Sequence, residues 1–258
     1  MDVKTYLRKD NITNLINEGK RIDGRAFDEI RKLQIEKGYV SEKAEGSALV
    51  KLGDTQVLAG ISMDVGEPYP DSPKEGVITT SSEFRPMASP IFESGPPGEE
   101  SIELARVVDR GIRESGAIDL DKLFIEDELV WVVFIDVHVL DHCGNLIDTS
   151  GIAAIAALLN ARFPKYEDGK VIRGEWGDKL PIKCVPIPST FAKISDKLVL
   201  DPVLDEEYAM DARLTISTTD TINAMQKGGV GSLTNEEIKS AIDMTFKNAE
   251  KLRKQVEA

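Results

Sequence analysis

The chain has 258 residues, with 32 basic against 45 acidic side chains and a formal net charge of −13. A chain of this length buries roughly 70–75% of its unfolded surface and needs no disulfide or metal staple; 41% hydrophobic and 30% charged residues describe a globular protein of one large or two small domains, not a disordered one. The acidic balance excludes a broad basic footprint for nucleic acid, so any such contact has to be local or shared with a partner.

Residues 3–18 carry Val3, Tyr6, Leu7, Ile12, Leu15 and Ile16 at helical spacing. Arg21-Ile22-Asp23-Gly24-Arg25 follows as a turn, with Asp-Gly supplying the positive-φ position. Strands are expected over 33–36, 47–52 and 55–65, the last two joined through Gly53-Asp54, and again over 77–84. The Pro-, Gly- and acid-rich stretches 66–76 and 86–99 are loops. A helix over 101–115 points Ile102, Ala105, Val108 and Ile112 inward. The run 128–140 is apolar on both faces, which predicts a central, fully buried strand.

Cys143-Gly144-Asn145 turns the chain, and Asp148 or Thr149 caps a helix running to about Arg162. Residues 164–181 are polar and Gly-containing and are expected to be a linker or surface excursion. Strands follow over 183–187, 190–194 and 197–200, then a hairpin over 213–218 and 222–226. Thr234-Asn235-Glu236-Glu237 is a capping box for a last helix lined by Ile238, Ile242, Phe246, Ala249, Leu252 and Val256. Strands then a helix, twice, predict an α+β fold of two β-rich lobes backed by helices.

Few residues carry obvious chemistry. Cys143, Cys184, His138 and His142 are the only cysteines and histidines, too few for a disulfide framework or a zinc site. No apolar run approaches the roughly 20 residues a membrane span needs, and Met1 to Tyr6 holds no apolar signal core. The expectation is a cytoplasmic protein with no membrane contact, no metal and no cofactor. Arg106, Arg110 and Arg113, spaced by four and three, share the helix face opposite the apolar stripe. Three guanidinium forks on one ridge could grip consecutive phosphates; by spacing alone, a solvated face paired with Glu103, Asp109 and Glu114 is the commoner outcome. Asp201, Asp205, Glu206, Glu207 and Asp211 could hold Mg²⁺ or act as general acid and base, but spacing alone favours a plain acidic loop. Asp148-Thr149-Ser150-Gly151 stands at a helix start, where anions bind, yet its leading residue is itself an anion. Gly228-Gly229-Val230-Gly231 lacks the Lys-Ser/Thr ending of a nucleotide loop.

Four segments in order carry more than any one of them: Arg21 to Arg25, Ala44 to Thr55, the Phe92-Glu93-Ser94-Gly95-Pro96-Pro97 loop, and the Ile102 to Arg113 helix. Together they resemble the RNase PH family, which includes polynucleotide phosphorylase and the exosome ring subunits. The Gly-Pro-Pro loop leading into Glu-Leu-Ala-Arg-Val-Val-Asp-Arg is most similar to the non-catalytic ring subunit of the archaeal exosome. The resemblance covers nearly the whole chain. It implies an N-terminal helix and turn (1–30), a ribosomal-S5-like βαβ domain (31–165) and a smaller C-terminal α+β domain (182–258). It implies a hexameric ring, a trimer of heterodimers with a catalytic RNase PH-like partner, that degrades single-stranded RNA from the 3′ end by phosphorolysis. Cap subunits with S1 and KH modules, or S1 and zinc-ribbon modules, would sit on one face.

Two departures set the expected role. Active members carry basic residues just before the Ile-Glu-Leu helix and an Arg at the start of the central helix where phosphate binds; here these positions align with Glu99, Glu100 and Asp148. Replacing +1 by −1 about 4 Å from phosphate reverses a Coulomb term of about 4 kcal/mol at an effective dielectric near 20. The resemblance therefore implies no catalytic residues in this chain and assigns Arg106 and Arg110 to RNA in the partner's groove. Two alternatives stay open: a phosphate-dependent 3′ exoribonuclease using Asp205 and Asp211, and a ring scaffold without RNA contact.

Overall fold

The computed structural model describes residues 3–40 and 42–258. Helix α1 (Val3–Asn17) leads into β1 (Leu33–Lys37), β2 (Gly46–Leu52), β3 (Thr55–Gly66) and β4 (Val77–Phe84). Helix α2 (Glu99–Glu114) is followed by a 3₁₀ turn over Leu120–Leu123, β5 (Phe124–Glu126), β6 (Leu129–Asp141) and α3 (Leu146–Asn160). Then come β7 (Arg162–Glu167), β8 (Lys170–Lys179), β9 (Ile187–Ile194), β10 (Lys197–Leu200), α4 (Leu204–Ala209), β11 (Ala212–Thr218), β12 (Ile222–Gly228) and α5 (Asn235–Glu257).

The first sheet has the order β1-β2-β3-β6-β4, with β5 on β6. Its β2–β3 hairpin closes in two residues, Leu52 facing Thr55, because Gly53 takes φ +59 at the first turn position. Among the described residues only β4 and β6 run parallel; a parallel pair needs a crossover, and α2 lies within it. The second sheet, β10-β9-β11-β12, is antiparallel throughout. Helix α3 joins the lobes: Ile152, Ile155 and Leu158 pack in one cluster with Val133, Ile135 and Val137 of β6 and with Leu252 and Val256 of α5. Ile12 and Ile16 of α1 are buried against Ala192, Ile194 and Val199 of the second sheet. Val3, Tyr6 and Leu7 of the expected α1 stripe have side chains outside the described residues.

Several expectations are corrected. Ile102 is 50% exposed; at 100° per residue it sits about 120° round from Val108, and Leu104 takes the inward place beside Ala105, Val108 and Ile112. Strand β6 is central, but only one face is sealed: Val133, Ile135, Val137 and Val139 are buried, whereas Val132, Phe134, Asp136 and His138 keep partial exposure. The cap of α3 is Asn145, left-handed at φ 54, not Asp148 or Thr149, which lie inside the first turn. Residues 164–181 mostly form a β-ribbon, β7 with β8, rather than a linker. Residues 183–186 are irregular, held by an Ile118–Ile182 bridge. In α5, Phe246 faces outward, and Ala241 and Thr245 are buried in its stead. The acidic run after Asp201 is helical, as α4. Thr234 does cap α5 in a capping box with Glu237.

Candidate nucleic-acid interface

Helix α2 crosses β4 with its apolar stripe buried and its arginines outward. The three arginines are held differently. Arg113 donates through Nε and Nη2 to Asp109 at 3.0 Å each, and Nη2 also reaches the Ile78 carbonyl at 3.0 Å. Asp109 takes a third bond from Thr80 Oγ1 at 3.1 Å. The Asp109 carboxylate beside it raises the Arg113 pKa above its ordinary value. Arg113 is thus tied to β4 with its charge matched. Arg110, half-buried, donates Nη1 to Gln226 Oε1 of β12 at 3.0 Å. Arg106 is exposed and makes no ion pair or side-chain hydrogen bond among the described residues. The three line a shallow cavity of about 230 Å³ with Thr80, Asp109 and Glu114.

A second cleft, about 270 Å³, opens where the first turns of α2 and α3 meet α4. Its floor is apolar (Phe84, Leu104, Leu146, Ile147), and its walls carry Glu100, Glu103, Glu207, His142 and Arg213. Arg213, the one cation lining it among the described residues, is paired with Glu103 at 2.5 Å. Burial holds the His142 pKa below its ordinary value, so the imidazole is neutral near pH 7. Its ring stacks on Phe92 at 5.5 Å, anchoring the glycine–proline loop to the cleft.

The expected clash at Asp148 does not take that form. Asp148 is buried and faces the second sheet: Oδ2 accepts from Asn145 Nδ2 and Thr190 N, both 2.8 Å, and Oδ1 accepts from Thr190 Oγ1 at 2.7 Å. Desolvation pushes its pKa up to about 6. At the start of α3 the cleft meets the apolar Leu146 and Ile147. At 100° per residue Asp148 lies about 100° round α3 from Ile147 and about 200° from Leu146, which turns it from the cleft into the domain junction.

Asp205 and Asp211 do not line the cleft. Asp205 pairs with Arg8 at 3.2 Å; Asp211 accepts from Ser195 N at 3.0 Å. Asp201 is a structural hub: its carboxylate accepts from Arg25, Arg31 and Asn145 at 2.7–3.0 Å. These partners hold its pKa below the ordinary carboxylate value against the opposing effect of burial. Glu206 is buried against Arg21. Glu207 alone of the acidic run reaches the cleft; it accepts from Asn145 N at 2.8 Å, and desolvation pushes it up to about 7. No cluster of three potential metal ligands occurs among the described residues, and no described helix is long and apolar enough to cross a membrane.

Charge periodicity placed Arg106, Arg110 and Arg113 on one face and the resemblance singled out Arg106 and Arg110; neither pointed to Asn145, Arg213 or Gln226. Gln226 lies 116 residues from Arg110, on a strand whose alternation says nothing about a partner on another element.

Comparison with known proteins gives one answer along the chain. Residues 29–164 match domain 1 of the 3′ exoribonuclease family and residues 184–248 match domain 2. The "Exosome complex component Rrp42" of Thermococcus gammatolerans is 55% identical, covering 98% of this chain and 95% of that protein. The protein of the same name from Methanothermobacter thermautotrophicus is 48% identical, with 98% and 95% covered. A chain of a solved structure described as "archaeoglobus fulgidus exosome with RNA bound to the active site" superposes with a TM-score of 0.91 at 46% identity, covering 98% of this chain and 99% of that one. Rice Rrp46, at 18% identity and TM-score 0.72 over 92% of this chain and 98% of its own, shares the fold.

Proposed function

This chain belongs to the 3′ exoribonuclease, or RNase PH, family and has its two-domain α+β fold, and from that premise we propose that it is a non-catalytic ring subunit of an exosome that binds RNA for a catalytic RNase PH-like partner. The observation that carries this reading is the contrast between its two candidate sites. The α2 ridge offers Arg106 and Arg110 with no carboxylate bound to either among the described residues. The cleft at the α2 and α3 starts is lined by Glu100, by a Glu207 that burial leaves part-protonated near pH 7, and by an Arg213 whose charge Glu103 already matches. Phosphorolysis needs a held phosphate as nucleophile, and a site with that balance repels one. An arginine ridge, in contrast, grips an RNA backbone without reading sequence, in a salt-sensitive way.

The ring would be a trimer of heterodimers, with S1/KH or S1/zinc-ribbon cap subunits on one face, working in the cytoplasm on single-stranded RNA. We assign residues 31–165 and 182–258 as its two working domains, with 1–30 as an N-terminal element clipped to the second sheet through Ile12 and Ile16.

The test mixes this chain with its catalytic partner and replaces Arg106 and Arg110 by Glu. Binding of a labelled single-stranded RNA should weaken by about tenfold or more, because hydrogen bonds to charged groups contribute roughly 1.5–3 kcal/mol each, and decay should become less processive. Unchanged affinity and decay would refute the RNA role and leave a scaffold. Phosphate-dependent shortening of RNA by this chain alone would refute the non-catalytic role.

A further inference from the structure

The three arginines of the α2 ridge have three kinds of partner. Arg113 is bound by the Asp109 carboxylate, which matches its charge. Arg106 is exposed and held by nothing else among the described residues. Arg110 lies between these cases: its partner is the neutral amide of Gln226. An amide oxygen accepts one N–H and leaves the guanidinium its full charge and four further donors. We propose that Gln226 is the positioning residue for RNA binding, aiming Arg110 at the backbone without neutralising it. This deepens the proposed RNA role and rests on it.

Ordering a long side chain costs rotamer entropy, and arginine is among the side chains with most to lose. A bond made before RNA arrives removes part of that cost from binding, which is the benefit of a preorganised contact. The geometry supports such a bond. Gln226 stands mid-way along β12, paired with Thr215 of the more deeply buried β11, so its backbone is anchored. Arg110 and Gln226 line the same small pocket with Val107, Gly111 and Ser217, where α2 meets the second sheet. Arg110 is half-buried while Arg106, one turn away, is exposed. A carboxylate at position 226 would reproduce the arrangement seen at Arg113 and cancel the charge that RNA needs.

The experiment uses the ring assembled with the catalytic partner and a fluorescein-labelled oligoadenylate, with affinity measured across a salt series. Gln226→Glu is expected to weaken binding about tenfold, the scale of one lost charge-assisted contact. It should also make the slope of log K against log salt shallower by about 0.7, the value of one phosphate contact on a single strand. Gln226→Met keeps the shape and removes the acceptor; it should weaken binding by a smaller factor with the slope unchanged. A purely structural Gln226 would move assembly or melting temperature in both variants but would not split them by salt slope. If Arg110→Glu weakens binding while Gln226→Glu leaves slope and affinity as they were, the positioning role is wrong and the RNA role stands. If Arg110→Glu and Arg106→Glu change nothing either, the RNA role itself has failed.

Discussion

Arg21 and Glu206 form a doubly bonded ion pair with both side chains shut off from water: Nε meets Oε1 at 2.9 Å and Nη2 meets Oε2 at 2.6 Å. The remaining Arg21 donors reach the carbonyls of Ala26, Glu29, Leu200 and Asp201. Glu206 Oε2 also accepts from Val203 N at 2.9 Å. The turn at Arg21 to Arg25, a sequence motif of this chain, therefore holds the N-terminal segment against α4.

Arg21→Ala should be strongly destabilising. It strands a buried carboxylate and four carbonyls, and breaking one side of a buried pair costs about 3–5 kcal/mol. Urea unfolding of the single chain measures it; a loss under about 1 kcal/mol would mean water reaches Glu206 after the change.

Asp148 and Glu207 give the domain junction a pH dependence. Their pKa values rise in the fold, from 3.8 to about 6 and from 4.5 to about 7. Between the unfolded and folded values the native state holds protons the unfolded chain has released, so stability falls as pH rises. The fall runs from about pH 4 to pH 7. Asp148 accounts for on the order of 2–3 kcal/mol of it; Glu207, which keeps some contact with solvent, contributes less than its shift implies. Asp201, with its lowered pKa, acts the other way, its stabilisation disappearing only in stronger acid. Asp148→Asn should flatten the pH 4 to 7 slope in thermal melts; an unaltered slope would place its source elsewhere.

Gly144 takes φ +94, and a side chain there would meet the Val203–Leu204 backbone. Strain at positive φ and overpacking against main chain are each worth roughly 1–3 kcal/mol. Gly144→Ala should therefore cost about 3 kcal/mol or more, read by chemical denaturation, and loosen α4 from α3 in hydrogen exchange. A native-like protection pattern would contradict the close approach.

Asp109→Asn should release Arg113 from its ion pair. The freed charge lies on the same ridge as Arg106 and Arg110, so RNA affinity of the assembled ring should rise and its salt slope steepen by about 0.7. Weaker binding would show that the Arg113–Asp109 tie supports the ridge more than it masks it.

The local part of this architecture was legible along the chain. β-type runs marked β2, β3 and β4; the Gly53-Asp54 connection and the Asp23-Gly24 turn were read from their turn residues, and both glycines take positive φ; and the Thr234–Glu237 cap announced α5. These features depend on residues within a few positions of one another. The α2 arginine ridge was visible for the same reason. The β7–β8 ribbon was missed because its polar, exposed strands lack the apolar alternation that marks a sheet face.

Sequence alone determined that three guanidinium groups share one face of α2 and that acids crowd the segment after Asp201. Only the tertiary structure decided which arginine keeps its charge available and which acid meets the cleft. Asp109 matches Arg113 from within the same helix, but Gln226 reaches Arg110 from another domain. Burial and hydrogen bonding turn Asp201, Glu206 and Asp148 into structural supports and leave Glu207 at the opening. Charge in a protein acts through its nearest partners and its distance from water, and both are set by contacts between residues far apart in the chain.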